Sequence, residues 1–174
     1  TMSFTNITGM SGVPATLRNV QAIVMEDWNR DNVMDVIANR ADRPPLLLEK
    51  QRGGKLVPRE QNRWVEGSAF CAGDFDNDLR PDLAVVGEGS ISICFNGGEQ
   101  REITVAGGEV FSQLVPVDYD NDGWLDLWAV GEKIRVWRNL GLSGFHEQTV
   151  PLGLGSYSDG AVSEIHFADF DRDC

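Results

Sequence analysis

The chain has 174 residues, of which 27 are acidic and 15 are basic, so its formal net charge is −12. This length is typical of about one domain, and no apolar stretch approaches the roughly 18 residues that a membrane-spanning helix needs. The acidic balance argues against proteins that neutralise phosphates, so we expect neither nucleic-acid binding nor membrane insertion.

The aspartates are concentrated in four short clusters, which hold 14 of the 16 Asp residues. The clusters begin at Asp27, Asp74, Asp118 and Asp169, at intervals of 47, 44 and 51 residues. Charge that serves only solubility would be scattered along the chain and would use Glu as freely as Asp. A period of this length is typical of solenoids and propellers.

Each complete cluster carries oxygen-bearing side chains at positions 1, 3, 5 and 9, counted from its first aspartate, and an aromatic residue at position 2. Ca²⁺ takes about six to eight oxygen ligands, and these positions of a tight loop can converge on one ion with the carbonyl of position 7. We predict three complete calcium sites and a fourth that is truncated. The predicted ligands are Asp27, Asn29, Asp31, Val33 and Asp35; Asp74, Asp76, Asp78, Arg80 and Asp82; Asp118, Asp120, Asp122, Trp124 and Asp126; and Asp169, Asp171 and Asp173.

Two other interpretations of the clusters are possible. Asp-rich turns can be solvated surface, but three copies in register favour metal binding. An EF-hand needs flanking helices and a Glu at position 12, where this chain has Ala38, Val85 and Ala129. Position 6 often needs a left-handed backbone, so we expect the second loop, with Leu79 there, to be strained or differently shaped.

Alternating apolar and polar residues flank every loop, and no amphipathic helix of three or more turns is evident. Each repeat reads as strand, calcium loop, strand, strand, glycine turn and strand. The predicted strands are 20–25, 36–39, 45–51 and 55–59; 68–72, 83–86, 90–96 and 101–105; 112–117, 127–130, 133–139 and 145–150; and 162–168. Four strands in about 45 residues make one propeller blade.

The N-terminal segment 4–13 repeats the pattern of segment 145–154: Phe, then Thr four residues on, then Gly and an aliphatic residue eight and nine residues on. The pattern predicts a strand around Phe4–Thr8 that ends a preceding blade. The chain is then an all-β arc of about four blade-equivalents. Its divisions are 1–13 (last strand of a preceding blade), 14–62, 63–107 and 108–155 (blades), and 156–174 (start of a further blade).

On these motifs the chain resembles the FG-GAP/VCBS repeat family, the integrin-α-like calcium-binding β-propellers. The segments with the Phe, Thr, Gly and aliphatic pattern resemble the ASPIC/UnbV and cartilage acidic protein group within it. The resemblance implies a seven-bladed propeller with calcium between the first two strands of a blade. This chain would then be an open arc, completed by the remainder of a larger propeller or by a second copy. The resemblance also implies a secreted, periplasmic or cell-surface location and a role in adhesion.

Our leading interpretation of function is a non-enzymatic, calcium-stabilised module that binds a protein, an extracellular-matrix component or a cell-surface ligand. The alternative is a carbohydrate-binding, lectin-like propeller or one associated with a polysaccharide lyase, because this fold does not decide function. The sequence offers no pair of residues that we would name as catalytic. Cys71 and Cys94 fall on strands about 9.6 Å apart, beyond the ~7 Å limit for a disulfide, so we expect buried free thiols.

Overall fold

The computed structural model describes residues 3, 5–105, 108–155 and 161–168. The twelve strands in this part form three antiparallel sheets, each of four strands. The strands are β1 (Val20–Glu26), β2 (Asp35–Arg40), β3 (Arg43–Lys50) and β4 (Leu56–Arg59); β5 (Phe70–Gly73), β6 (Asp82–Val86), β7 (Ser90–Cys94) and β8 (Gln100–Thr104); and β9 (Phe111–Val117), β10 (Asp126–Gly131), β11 (Ile134–Asn139) and β12 (Phe145–Glu147).

The predicted all-β fold class is confirmed. Within each sheet the strands follow one another in chain order, which is the up-and-down arrangement of a propeller blade. The described residues contain no α-helix, only the 3₁₀ turns Thr8–Met10 and Gly141–Ser143. No helix in this part of the chain has the length and apolar character to cross a membrane. The three sheets form an open arrangement and do not close into a ring.

The second sheet packs between the other two. Successive residues of β5 face opposite ways, as the two-residue period of a strand requires: Phe70 and Ala72 join the cluster shared with the first sheet, and Cys71 joins the cluster shared with the third. Ile37 of β2 and Leu127 of β10 are fully buried in these two clusters. Burial of such a side chain contributes about 1.5–3 kcal/mol, so packing between the sheets stabilises the sheets themselves.

The two internal cysteines are buried and free, as the sequence predicts. Cys71 lies on β5 and Cys94 on β7. Burial raises the pKa of both thiols. The Sγ of Cys94 donates to the carbonyl oxygen of Arg63 at 3.3 Å. Protonated thiols in such surroundings behave as small apolar side chains, so both cysteines contribute to packing.

The strand predicted around Phe4–Thr8 is wrong over the described residues. Thr8–Met10 forms a 3₁₀ turn instead, and the side-chain oxygen of Asn6 accepts from the N–H of Thr8 at 3.0 Å. Local side-chain bonds of this kind compete with strand pairing. The segment still reaches the edge of the first sheet, because the N–H of Leu56 donates to the carbonyl of Ser11 at 2.6 Å.

The strand predicted at 162–168 is also wrong, and the predicted strand 145–150 ends early. The N–H of Val162 donates to the carbonyl of Gly131 at 2.7 Å, yet residues 161–168 form no regular ladder. A first strand pairs with the second strand of its own blade, and no such partner lies in the described part of the chain. Strand β12 ends at Glu147, and beyond it the N–H of Val136 donates to the hydroxyl of Thr149 at 3.0 Å instead of to a backbone carbonyl.

Candidate metal centre

The Asp-rich loops connect the first two strands of each sheet, at one end of the molecule. They span residues 27–34, 74–81 and 118–125 between the strands that flank them. The second and third loops touch, because the side-chain amide of Asn77 donates to the carbonyl of Gly123 at 3.1 Å. The predicted place of the loops, between strands one and two of a blade, therefore agrees with the structure.

The carboxylate at position 1 organises each loop by accepting two backbone hydrogen bonds. In the second loop, Oδ1 of Asp74 accepts from the N–H of Asp78 at 3.1 Å and Oδ2 accepts from the N–H of Leu79 at 2.8 Å. Asp27 and Asp118 accept the same two bonds, from positions 5 and 6 of their own loops. The three loops consequently share one backbone conformation, and the position-1 side chain is held at its centre.

The backbone is left-handed at two positions of every loop. Position 6 has φ between 65° and 87° in Asn32, Leu79 and Gly123. Position 4 has φ between 57° and 61° in Arg30, Asn77 and Asn121. Leu79 therefore adopts the same backbone conformation as its counterparts, so the second loop is not differently shaped. Because Leu has a Cβ, the left-handed backbone at this position is strained. The left-handed backbone at Arg30 was not predictable, because Arg is not a residue that favours this conformation.

The carboxylate at position 9 is fully buried in all three loops. Oδ2 of Asp82 accepts from the N–H of Phe75 at 2.9 Å, and its Oδ1 accepts from the N–H of Asn96 at 2.8 Å. Asp126 accepts the equivalent bonds from Tyr119 at 3.2 Å and Asn139 at 2.8 Å. This residue therefore ties the loop to the end of the third strand, a role that the sequence reading missed.

Burial raises the pKa of the position-9 aspartates. Loss of hydration raises the pKa of Asp82 to about 7 and that of Asp126 to about 6, although backbone N–H groups oppose the shift. Neighbouring carboxylates of the same loops add to both shifts. The pKa of Asp35 is raised for the same leading reason, and its Oδ2 is buried with no hydrogen-bond partner among the described residues. Such an environment favours a bound cation, which would neutralise the carboxylates.

The structure brings together part of two of the four predicted ligand sets. Carboxylate oxygens of Asp74, Asp76 and Asp78 lie within 4.8 Å of one another, and so do those of Asp118, Asp120 and Asp126. The donors are all oxygen, which suits a hard cation such as Ca²⁺ better than a metal that prefers nitrogen or sulfur. The two clusters could therefore hold a metal ion.

In the part of the chain that the structure describes, the remaining predicted ligands are not gathered into such clusters. Within the described residues, Asp27, Asp31 and Asp35 of the first loop do not form such a cluster. At position 7, the N–H groups of Val33, Arg80 and Trp124 donate to the position-5 carboxylate at 2.8–3.0 Å, and carbonyl ligation there stays a prediction. The predicted ligands Asp169, Asp171 and Asp173 lie outside the described residues.

A positively charged side chain borders the third loop. Arg138 of β11 places Nε 2.7 Å from Asp120 and a terminal nitrogen 2.8 Å from Asp122. The pKa of Asp122 is held below its ordinary value by the N–H of Trp124 first and by Arg138 second. Sequence reasoning missed Arg138 because it lies on β11, separated from the loop along the chain by β10. Only the antiparallel pairing of β10 with β11 places it beside the third loop.

Comparison with known proteins identifies the repeat. The FG-GAP-like repeat family matches residues 74–129 and, in a second match, residues 118–174. Together the matches run from 74 to 174, which is 101 of the 174 residues and includes the second and third loops. No curated protein and no solved structure matches the chain. The narrower resemblance to the ASPIC/UnbV group stays a prediction, but the chain belongs to the FG-GAP-like repeat family.

Proposed function

We propose that this chain is a non-enzymatic β-propeller module whose Asp-rich loops bind Ca²⁺ as a structural ion. The observation that carries the proposal is the repetition of one hydrogen-bonded loop, with three carboxylates within 4.8 Å of one another in the second and third copies. Unpaired carboxylates at this spacing repel one another, and a divalent ion converts the repulsion into attraction. Three ions would add +6 to the formal charge of −12 and leave −6.

The chain's own residues supply the framework for such an ion. Asp74 accepts hydrogen bonds from two backbone N–H groups, which hold its carboxylate at the centre of the loop without a bound ion. Asp76 and Asp78 are exposed and can move to complete a coordination shell. Asp82 anchors the loop to the third strand from its buried position. A bound ion would supply positive charge at this centre, and its binding free energy would add to the stability of the hairpin.

Thermal unfolding with and without Ca²⁺ tests this proposal. Binding to the native state alone stabilises it by about 2.7 kcal/mol per site at a free Ca²⁺ concentration one hundred times Kd. We expect Asp76→Ala to reduce the calcium-dependent shift in Tm. Asp42→Ala is the matched control, because Asp42 is an exposed aspartate outside every loop. A Tm that is the same in Ca²⁺ and in EDTA would rule out a structural ion.

We further propose that the module works outside the cytoplasm, as a secreted, periplasmic or cell-surface protein, and contacts a protein or matrix ligand. Ca²⁺ affinities of about 10⁻⁴–10⁻³ M are typical of extracellular modules. The net charge of −12 favours partners with basic surfaces and disfavours nucleic acid. Solid-phase binding to purified matrix proteins, in Ca²⁺ and in EDTA, tests this. Binding that ignores EDTA would separate the ligand site from the loops.

A glycan ligand is the second candidate, and one groove favours it. The groove lies between the first and second sheets, has a volume of about 450 Å³, and is lined by Trp28, Asn62, Arg63 and Trp64 among others. Trp28 is half-buried, and its ring meets that of Trp64 edge-on at 5.1 Å. A glycan array with the wild type and Trp28→Ala tests the groove. Hits that Trp28→Ala abolishes support a glycan ligand, and an array without hits excludes one.

A further inference from the structure

We propose that Asn96 and Asn139 couple neighbouring Asp-rich loops, so that Ca²⁺ bound at one loop raises the affinity of the next. This inference rests on the proposed binding of Ca²⁺. Asn139 ends the third strand of its blade, and Asn96 lies two residues beyond the third strand of its own. Each bonds to its own loop through its backbone and to two loops through its side chain. Neither residue is a predicted ligand, and both act through the position-9 aspartates.

Asn139 links the third loop to the second. Its N–H donates to Oδ1 of Asp126 at 2.8 Å. Its side-chain amide donates to two carbonyls: that of Leu125 in its own loop, at 3.2 Å, and that of Phe75 in the preceding loop, at 2.8 Å. The N–H of Phe75 in turn donates to Oδ2 of Asp82 at 2.9 Å. A continuous chain of hydrogen bonds therefore joins the buried carboxylates of two loops.

Asn96 makes the same bonds one blade earlier, although the chain of hydrogen bonds does not reach Asp35 there, whose Oδ2 has no hydrogen-bond partner among the described residues. Its N–H donates to Oδ1 of Asp82 at 2.8 Å. Its side-chain amide donates at 3.2 Å to the carbonyl of Pro81 in its own loop and at 3.2 Å to that of Trp28 in the first loop. The acceptors occupy positions 8 and 2, the same positions as for Asn139. In the first sheet, Lys50 makes the backbone bond to Asp35 at 2.7 Å but brings no amide to a neighbour.

This geometry makes the two loops depend on each other. Asn139 is 1% exposed, so a displaced carbonyl would leave a buried side-chain donor without a partner. The loss of a buried hydrogen bond is unfavourable, which disfavours movement of one loop alone. An ion that fixes the second loop also fixes the carbonyl of Phe75, and through Asn139 it orders Asp126. Binding of Ca²⁺ at the third loop then loses less conformational entropy, which is positive cooperativity.

A purely structural role for the asparagines makes a different prediction. It predicts that substitution lowers Tm and leaves the coupling between sites unchanged. Asn39 provides the matched control, because it is 0% exposed and its amide donates to the carbonyl of Gly67 at 3.2 Å, remote from the loops along the chain. Asn39→Ala should therefore lower Tm to a similar degree without any effect on the coupling.

A cycle of variants measures the coupling in the full 174-residue chain. Asp76→Ala removes the second site, and Ca²⁺ affinity at the third loop is then read from the NMR signal of the Gly123 amide, with calorimetry for the number of sites. We expect Asp76→Ala to weaken the third site by about 5-fold or more, within the 5–150-fold range of such couplings. In an Asn139→Ala background, Asp76→Ala should change that affinity less than 2-fold, and in an Asn39→Ala background the full effect should remain.

The outcomes separate the coupling from the proposed function. If Asp76→Ala weakens the third site equally with and without Asn139, the coupling is overturned while Ca²⁺ binding stands. A wild-type chain that binds no Ca²⁺ overturns both. Asn96 is half-buried and gives a second variant if Asn139→Ala does not fold. Asn96→Ala should abolish the coupling between the first and second loops, and an unchanged coupling there overturns the inference.

Discussion

Leu79→Gly should stabilise the protein, although it removes an apolar side chain. Leu79 has φ 66°, a conformation that costs a residue with a Cβ about 1–2 kcal/mol. Leu79 is 73% exposed, so removal of its side chain loses little buried apolar surface. Glycine loses about 0.5–1 kcal/mol more conformational entropy on folding, which offsets part of the gain. The net stabilisation is about 0.5–1 kcal/mol, or about 1–4 °C in Tm for a chain of this size.

The reciprocal variant is Gly123→Ala, at the same position of the third loop. Gly123 has φ 87°, and an added Cβ would meet no atom within 4 Å, so the backbone strain acts without a steric clash. We expect Gly123→Ala to lower Tm by at least as much as Leu79→Gly raises it. Calorimetric melts in EDTA separate this effect from any change in Ca²⁺ affinity. A Leu79→Gly protein that melts below the wild type would refute the reasoning about left-handed strain.

Three further variants test the charges and the packing. Arg138→Gln should raise Ca²⁺ affinity at the third loop several-fold at low ionic strength, less so at high salt, because it removes a competing cation. Glu109→Gln should cost about 2 kcal/mol at pH 7 in chemical denaturation, since Arg135 donates to this buried carboxylate at 2.5 Å and holds its pKa below 4.5. The ionised Glu109 carboxylate stabilises the folded protein above pH 4.5, and this stabilisation is lost as the pH falls through the lowered pKa. The difference in unfolding free energy between the wild type and Glu109→Gln should therefore shrink at low pH. Gly67→Ala should cost about 1–3 kcal/mol because its Cβ would meet a carbonyl of β6, whereas Gly53→Ala, which meets nothing, should be neutral in the same assay.

The strands were predictable because their period and turn residues are local properties of the sequence. The alternation around Ile37 and Leu127 marks strands that bury one face, and the structure places both residues in the core. The segments 4–8 and 162–168 carry similar alternation but lack a ladder partner among the described residues. A strand needs a neighbour to satisfy its backbone groups, and a local pattern does not show whether that neighbour is present.

The loops were predictable as candidate metal sites, but their internal geometry was not. The spacing of oxygen-bearing side chains identified Asp74, Asp76 and Asp78, which the structure brings within 4.8 Å of one another. The same spacing did not reveal that both carboxylate oxygens of Asp82 accept from backbone N–H groups. Nor could it reveal Arg138, because residues brought together by strand pairing leave no mark in the spacing of a loop.

The open side of the first sheet leads to the last prediction. Ile23 and Met25 lie on one face of β1 and are 63% and 49% exposed, whereas Phe70, Cys71 and Ala72 of β5 are 5–8% exposed. The second sheet is covered on both faces and the first on one. A pair of exposed apolar side chains on one face of a strand is typical of a surface that another sheet covers. We expect further propeller sequence or a second copy of the chain to cover it.

Light scattering on the 174-residue chain measures this directly. We expect concentration-dependent association above the monomer mass of 19.2 kDa, and we expect the double variant Ile23→Ser with Met25→Ser to reduce it. Both side chains are mostly exposed, so the double variant should keep the wild-type Tm to within a few degrees. Leu142→Ser is the control, because Leu142 is 97% exposed on a 3₁₀ turn away from β1 and should leave the association unchanged. Association that falls equally in the Leu142 variant would assign it to general surface hydrophobicity. A wild-type monomer at every concentration would mean that the exposed face of β1 is stable in water and needs no covering sheet.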